Sequence, residues 1–115
     1  KQLMAELLTG EEATGVAYHE IGTGTTTPAL TDTALTTSAA RKAVTQAARS
    51  GNQVQASTFY LASECTMEIE EAGVFGGDAA TGTAGTGKML CHYLQNYDNS
   101  AGTYDLTFEY TLTIS

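Results

Sequence analysis

The sequence predicts a mainly β domain, an antiparallel β-sandwich or barrel-like fold with one short N-terminal helix, and three observations carry that reading. At the C-terminus, Tyr104, Leu106, Phe108, Tyr110, Leu112 and Ile114 alternate without a break against Asp105, Thr107, Glu109, Thr111 and Thr113. That two-residue period marks a strand with one face in a core. Upstream, β-type runs are separated by hairpin-length turn signals such as Ser50-Gly51-Asn52 and Asp98-Asn99-Ser100-Ala101-Gly102, the pattern of antiparallel neighbours. Clear helical spacing is confined to the start, where Leu3, Met4, Leu7 and Leu8 make one stripe.

In chain order, residues 1–9 read as a helix closed by Gly10, a glycine where a C-terminal cap belongs. A helix this short does not hold by itself and must dock on its own sheet or on a neighbouring subunit. Val16 to Ile21 is a strand ended by the turn Gly22-Thr23-Gly24, and a Thr-rich loop runs through Pro28. Asp32 is placed to cap a short turn containing Ala34 and Leu35. Residues 38–48 are Ala-rich enough for a helix, but their alternation and the turn at 50–52 favour a hairpin of 41–49 with 53–61. Strands follow at Met67 to Phe75 and Met89 to Tyr97, joined by a flexible Gly/Ala/Thr loop at 76–87. The last strand, 103–114, is expected to be internal, with Leu106, Phe108 and Tyr110 buried.

The 115 residues make a single domain, 1–115, with residues 1–10 as its docking helix. Hydrophobic residues are 42% and charged residues 16%, which leaves a neutral polar surface. The net charge is −8 with five Lys plus Arg. No basic footprint for nucleic acid exists in that balance, and an anionic membrane is disfavoured for the same reason. No apolar run approaches the roughly 20 residues of a membrane span, and the first residues lack the pattern of a signal peptide. The chain opens on Lys1 rather than Met, so residues upstream are expected. Cys65 and Cys91 allow one disulfide at most, and both fall in segments read as strands, where a cysteine more often serves as a small buried hydrophobe.

No constellation reads as catalytic. Gly82-Thr83-Ala84-Gly85-Thr86-Gly87-Lys88 matches a P-loop up to the lysine, but Met89 stands where the magnesium-binding hydroxyl is required, and a strand follows instead of a helix. It reads as a surface loop ended by a solvated lysine. His19, His92, Cys65 and Cys91 are zinc ligands by type, yet Cys91 and His92 are adjacent on a strand and point to opposite faces. Glu64, Glu68, Glu70 and Glu71 are the one carboxylate cluster. Glu68 and Glu70 share a strand face at a separation that would suit a glycosidase pair, but alternating glutamates are the ordinary solvent side of an amphipathic strand. The expectation is therefore no enzyme, no cofactor and no metal site.

Four segments taken together carry a resemblance: Ile21-Gly22-Thr23-Gly24-Thr25-Thr26-Thr27-Pro28, Asp32-Thr33-Ala34-Leu35, Ala40-Arg41-Lys42-Ala43-Val44-Thr45, and Glu70-Glu71-Ala72-Gly73-Val74-Phe75. In that order, with the Ser50-Gly51-Asn52 turn and a closing Thr-rich strand, residues 15–115 resemble a group of small bacteriophage virion structural or tail-fibre-like proteins. The loop at 76–87 departs from that pattern by its length. The resemblance implies a β-rich domain repeated in many copies in the virion, assembled in the host cytoplasm. Its leading form is a capsid decoration (cement) protein that stabilises the head lattice, and the alternative is a tail-fibre or baseplate component contacting the host surface. The partners implied are the chain itself, as a closed homo-oligomer such as a trimer, and virion proteins such as the major capsid protein. Leu3, Met4, Leu7 and Leu8 are the candidate assembly contacts. A reading of another class is a carbohydrate-binding module with Tyr60, Tyr93, Tyr97 or Tyr104 as a stacking platform, although these tyrosines fit core or interface positions better.

Overall fold

The computed structural model describes residues 2–29 and 31–114. Lys1, counted in the expected helix, lies outside them. The elements are helix α1 (Gln2–Thr9) and strands β1 (Val16–Gly22), β2 (Ser38–Ala43), β3 (Gln46–Ser50), β4 (Gln53–Tyr60), β5 (Glu68–Gly76), β6 (Lys88–Asp98) and β7 (Leu106–Thr113), with a 3-10 turn at Ala62–Glu64. The strands form two antiparallel sheets, in the orders β2-β1-β5-β6 and β3-β4-β7. They pack as a sandwich and do not close into a barrel.

Between the sheets lies the core of Ile21, Tyr60, Cys65, Ile69 and Ala72, with Ala40, Met67, Tyr93, Leu106 and Phe108 packed against it. Register irregularity between Ile69 and Glu71 in the β5–β6 pairing lets Ile69 and Ala72 face the same core. Glu71, next to Ala72, is thereby turned to the opposite side of the sheet. β5 is buried on both sides, because α1 and the two long loops, 23–37 and 77–87, cover the face that the second sheet does not.

The expected hairpin of 41–49 with 53–61 is corrected in its first half. The Val44 N–H bonds the Ala17 carbonyl of one sheet at 2.9 Å, and the next N–H, of Thr45, bonds Ser57 of the other at 2.8 Å. The chain changes sheets at that peptide, so Arg41 and Lys42 belong to β2, and the hairpin is β3 with β4. Gly51 takes φ 60° at its turn, where a Cβ would be strained. β7 is also corrected: it bonds β4 alone and is an edge strand, with Leu106, Phe108, Tyr110 and Leu112 half-buried. Alternation reports that one face is apolar; it does not report how many neighbours a strand has.

Candidate functional site

Among the described residues, the buried charged groups Glu6, Glu20, Arg41 and Glu71 gather on the outer face of the four-stranded sheet. Register sets Glu20 between Arg41 of β2 and Gly73 of β5, and His92 of β6 beside Gly73 on its other side. Arg41 Nε donates to Glu20 Oε2 at 2.6 Å, and both side chains are almost fully buried. Arg41 Nη1 reaches up to the carbonyls of Thr81 and Thr86, each at 2.9 Å. Beneath, the guanidinium lies 4.2 Å from the Phe75 ring centroid, a desolvated cation–π contact. The glycine-rich loop is thus fastened by Arg41, where the sequence had suggested flexibility.

Glu71 fastens the other loop. Its Oε2 accepts the N–H groups of Thr37 at 2.7 Å and Gly24 at 2.8 Å, and its Oε1 accepts the Thr36 N–H at 2.9 Å. His92 Nε2 lies 2.8 Å from Oε1, and its Nδ1 lies 2.7 Å from Asp32 Oδ2. Burial pushes the Glu71 carboxyl up, but the N–H groups of Thr37 and Thr36, the His92 ring and the Gly24 N–H outweigh it and hold it below its usual range. Asp32 is held low as well, by the Ala29 N–H and by His92. Asp32 therefore bonds backward to Ala29 and does not cap a turn at Ala34. Gly22-Thr23-Gly24 is an approach site and not a turn. A Cβ on Gly24 would sit 2.3 Å from Glu71 Oε2, and one on Gly22 would sit 2.3 Å from the Thr37 carbonyl.

Further along the same face, Leu3 of α1 is 1% exposed and packs against Gly76 and Gly77. Lys88 pairs with Glu6 and Glu12, so the lysine of the near-P-loop anchors the helix region and is not a solvated terminus. Met4 and Leu7 are half-buried, and Leu8 is 87% exposed. The expected stripe is therefore split, with Leu3 taken by the chain's own sheet and Leu8 facing out.

On the inner side, His19 is fully buried between the sheets. The Tyr60 hydroxyl donates to the His19 carbonyl at 2.9 Å and so accepts from Nδ1 at 3.0 Å. Nε2 is left to accept from the Tyr93 hydroxyl at 3.0 Å. Burial lowers the His19 pKa to about 4, and the ring is neutral. Tyr60 is wholly buried and offers no stacking face, Tyr93 is half-buried, and both hydroxyls are committed to His19. Tyr97 and Tyr104 are exposed.

The cysteines are free thiols, with Cys91 on β6 and Cys65 just past the 3-10 turn, outside any strand. Asn99 Nδ2 contacts Cys65 Sγ at 3.3 Å and bonds the Cys65 and Tyr104 carbonyls, stapling the turn from β6 to β7. The carboxylate cluster is dispersed. Glu64 pairs with Lys42, Glu70 takes Asn96, Glu68 is exposed and Glu71 is buried in the clamp. Both nitrogens of His92 lie within 2.8 Å of carboxylate oxygens, one of Asp32 and one of Glu71. What this face does chemically is hold two loops in fixed shapes. No family model, curated protein or solved structure matches the chain.

Proposed function

We propose that the chain is a bacteriophage virion structural protein, in first place a capsid decoration protein that stabilises the head lattice. The observation that carries this reading is the convergence of the four resemblance segments on one device. They supply Gly22, Gly24, Asp32, Leu35, Arg41 and Glu71, all of which build the outer-face clamp or pack beside it. The clamp presents the Thr-rich segment 23–37, whose one charged side chain is Asp32, as a shaped polar surface, and such a surface suits repeated contact with identical neighbours. A decoration protein acts by mass action, each bound copy stabilising the assembled lattice over its free subunits. Leu8, 87% exposed, is the member of the N-terminal stripe free to make such a contact.

The test is to image labelled protein on intact particles and to titrate it onto purified heads. Saturable binding that raises the head melting temperature is expected, with Leu8→Asp weakening it. Label confined to the tail reassigns the chain to a fibre or baseplate, and label on neither part refutes the virion role.

A further inference from the structure

The open edges of the two sheets are not equivalent. β2 carries Arg41 and Lys42 and pairs with β1 through an irregular register at Ile21/Gly22. β6 pairs with β5 through irregularities at two places. β3 is five residues long and carries Arg49. Charges, bulges and shortness are the devices that keep an edge from pairing with another chain. β7 has little of this protection: eight residues, unbroken register with β4 from Gln53↔Thr113 to Tyr60↔Leu106, no Lys, Arg or Pro, and one charge, Glu109.

The phase of its ladder identifies the open groups. The Ile114 N–H donates to the Asn52 carbonyl at 2.9 Å, so even-numbered residues of β7 direct their backbone groups at β4. Thr107, Glu109, Thr111 and Thr113 direct theirs to the open edge. On the same side, Tyr97 of β6 lies beside Leu106 and Phe108 in a cleft between the sheets, and Tyr97 is 41% exposed.

We propose that β7 pairs edge to edge with β7 of a second copy, antiparallel about a twofold axis at Tyr110, joining the two three-stranded sheets into one. In this register Thr107 faces Thr113, Glu109 faces Thr111, Phe108 faces Leu112 and Tyr110 faces itself. All the open backbone groups of the strand then find partners, and apolar side chains meet apolar side chains. A slip of two residues one way sets Glu109 against Glu109, which repels. The same slip the other way carries Thr107 past the partner strand's end at Thr113. A slip of one residue puts apolar against polar. The edge is thus complementary to itself in one register, and that argues for a second copy as the occupant; a twofold contact of this kind is isologous. This deepens the assembly reading and rests on it for biological use, although the pairing is measurable alone.

Sedimentation of the purified protein should give about twice the 12.0 kDa monomer mass. Thr111→Pro removes an edge N–H and leaves the β4 ladder intact, and Glu109→Lys adds an edge lysine at an exposed position. Each should weaken dimerisation at least about tenfold, with the melt of the monomer retained for Glu109→Lys. On oxidation, Tyr110→Cys should yield a dimer linked between the two introduced thiols, because directly opposed residues of a non-hydrogen-bonded pair lie about 4.5 Å apart at Cα. A monomeric wild type, a trimer, or a Glu109→Lys variant that dimerises unchanged overturns the pairing. A wild type that dimerises but binds no phage particle leaves the pairing standing and overturns the virion reading instead.

Discussion

Replacing Glu71 by Gln changes almost no volume and removes the charge that organises segment 23–37. Each carboxylate oxygen now takes two donors: Oε2 from Gly24 and Thr37, Oε1 from Thr36 and His92. Whichever way the amide is turned, its NH2 replaces one oxygen and faces two donors, so two charge-assisted bonds are lost. At about 1.5–3 kcal/mol each the loss is roughly 3–6 kcal/mol, and the lower end applies if the loop shifts to admit water. For a domain of this length that is a fall in Tm of about 12–25 °C, read by circular dichroism. Hydrogen exchange should accelerate at the Gly24, Thr36 and Thr37 amides. A second signature is pH dependence. The folded-state pKa of Glu71 lies below its ordinary 4.5, so its contribution is present above that value and lost as pH falls through the folded pKa. Below about pH 4.5 the wild type should therefore lose stability more steeply than the variant. A Tm within about 3 °C of wild type, with those amides still protected, would refute the clamp.

Three other outcomes are expected. His19→Phe should flatten the pH dependence of stability between 6.5 and about 4, since the folded His19 titrates near 4 and the unfolded one near 6.5. There the unfolded chain binds the extra proton, so wild-type stability falls with falling pH by up to about 3 kcal/mol, as denaturant titrations across that range will measure. Phe108→Ala should cost about 2–3 kcal/mol in a thermal melt, below the roughly 3–5 of a fully buried phenylalanine, because β7 is an edge strand; no loss would mean its inward face is misassigned. Lys88→Ala should speed exchange of the α1 amides through loss of the Glu6 and Glu12 pairs, and calorimetry should find no magnesium-dependent ATP binding to either form.

The fold class, α1 with its Gly10 cap, and most strand positions were legible because they depend on local periodicity and turn chemistry. The β2–β3 break was not. Ala39 to Ala48 has no Gly or Pro to mark it, and the change of sheet is settled by which carbonyls Val44 and Thr45 find across space. The clamp was half legible. Gly22-Thr23-Gly24, Asp32, Arg41 and Glu71 all stand in patterned segments, but the reason for the pattern lies in contacts spanning 21 to 65 residues. By residue type alone, His19 and His92 are metal-ligand candidates. Their actual partners, two tyrosines and two carboxylates, are visible only once β1, β4, β5 and β6 are laid side by side. Glu71 carried one usable signal: it breaks the alternation of Glu68 and Glu70, and a carboxylate out of phase on a strand marks a register irregularity, which here turns it to the outer face beneath segment 23–37.

Burying Glu20, Arg41 and Glu71 is an expensive way to hold a sheet together, since apolar residues of similar volume often give equal or greater stability than a buried ion pair. What apolar residues cannot do is fix loop backbones. The Thr-rich segment 23–37 and the glycine-rich segment 77–87 contribute few large apolar side chains, Leu35 being one that is buried, so hydrophobic burial alone would leave them without a single shape. A carboxylate that accepts three backbone N–H groups, and a guanidinium that donates to two backbone carbonyls, specify conformation where side-chain packing does not. The free energy spent on desolvating these charges therefore goes into surface shape. Under the proposed assembly role, a contour repeated in every copy would need that more than it needs added stability.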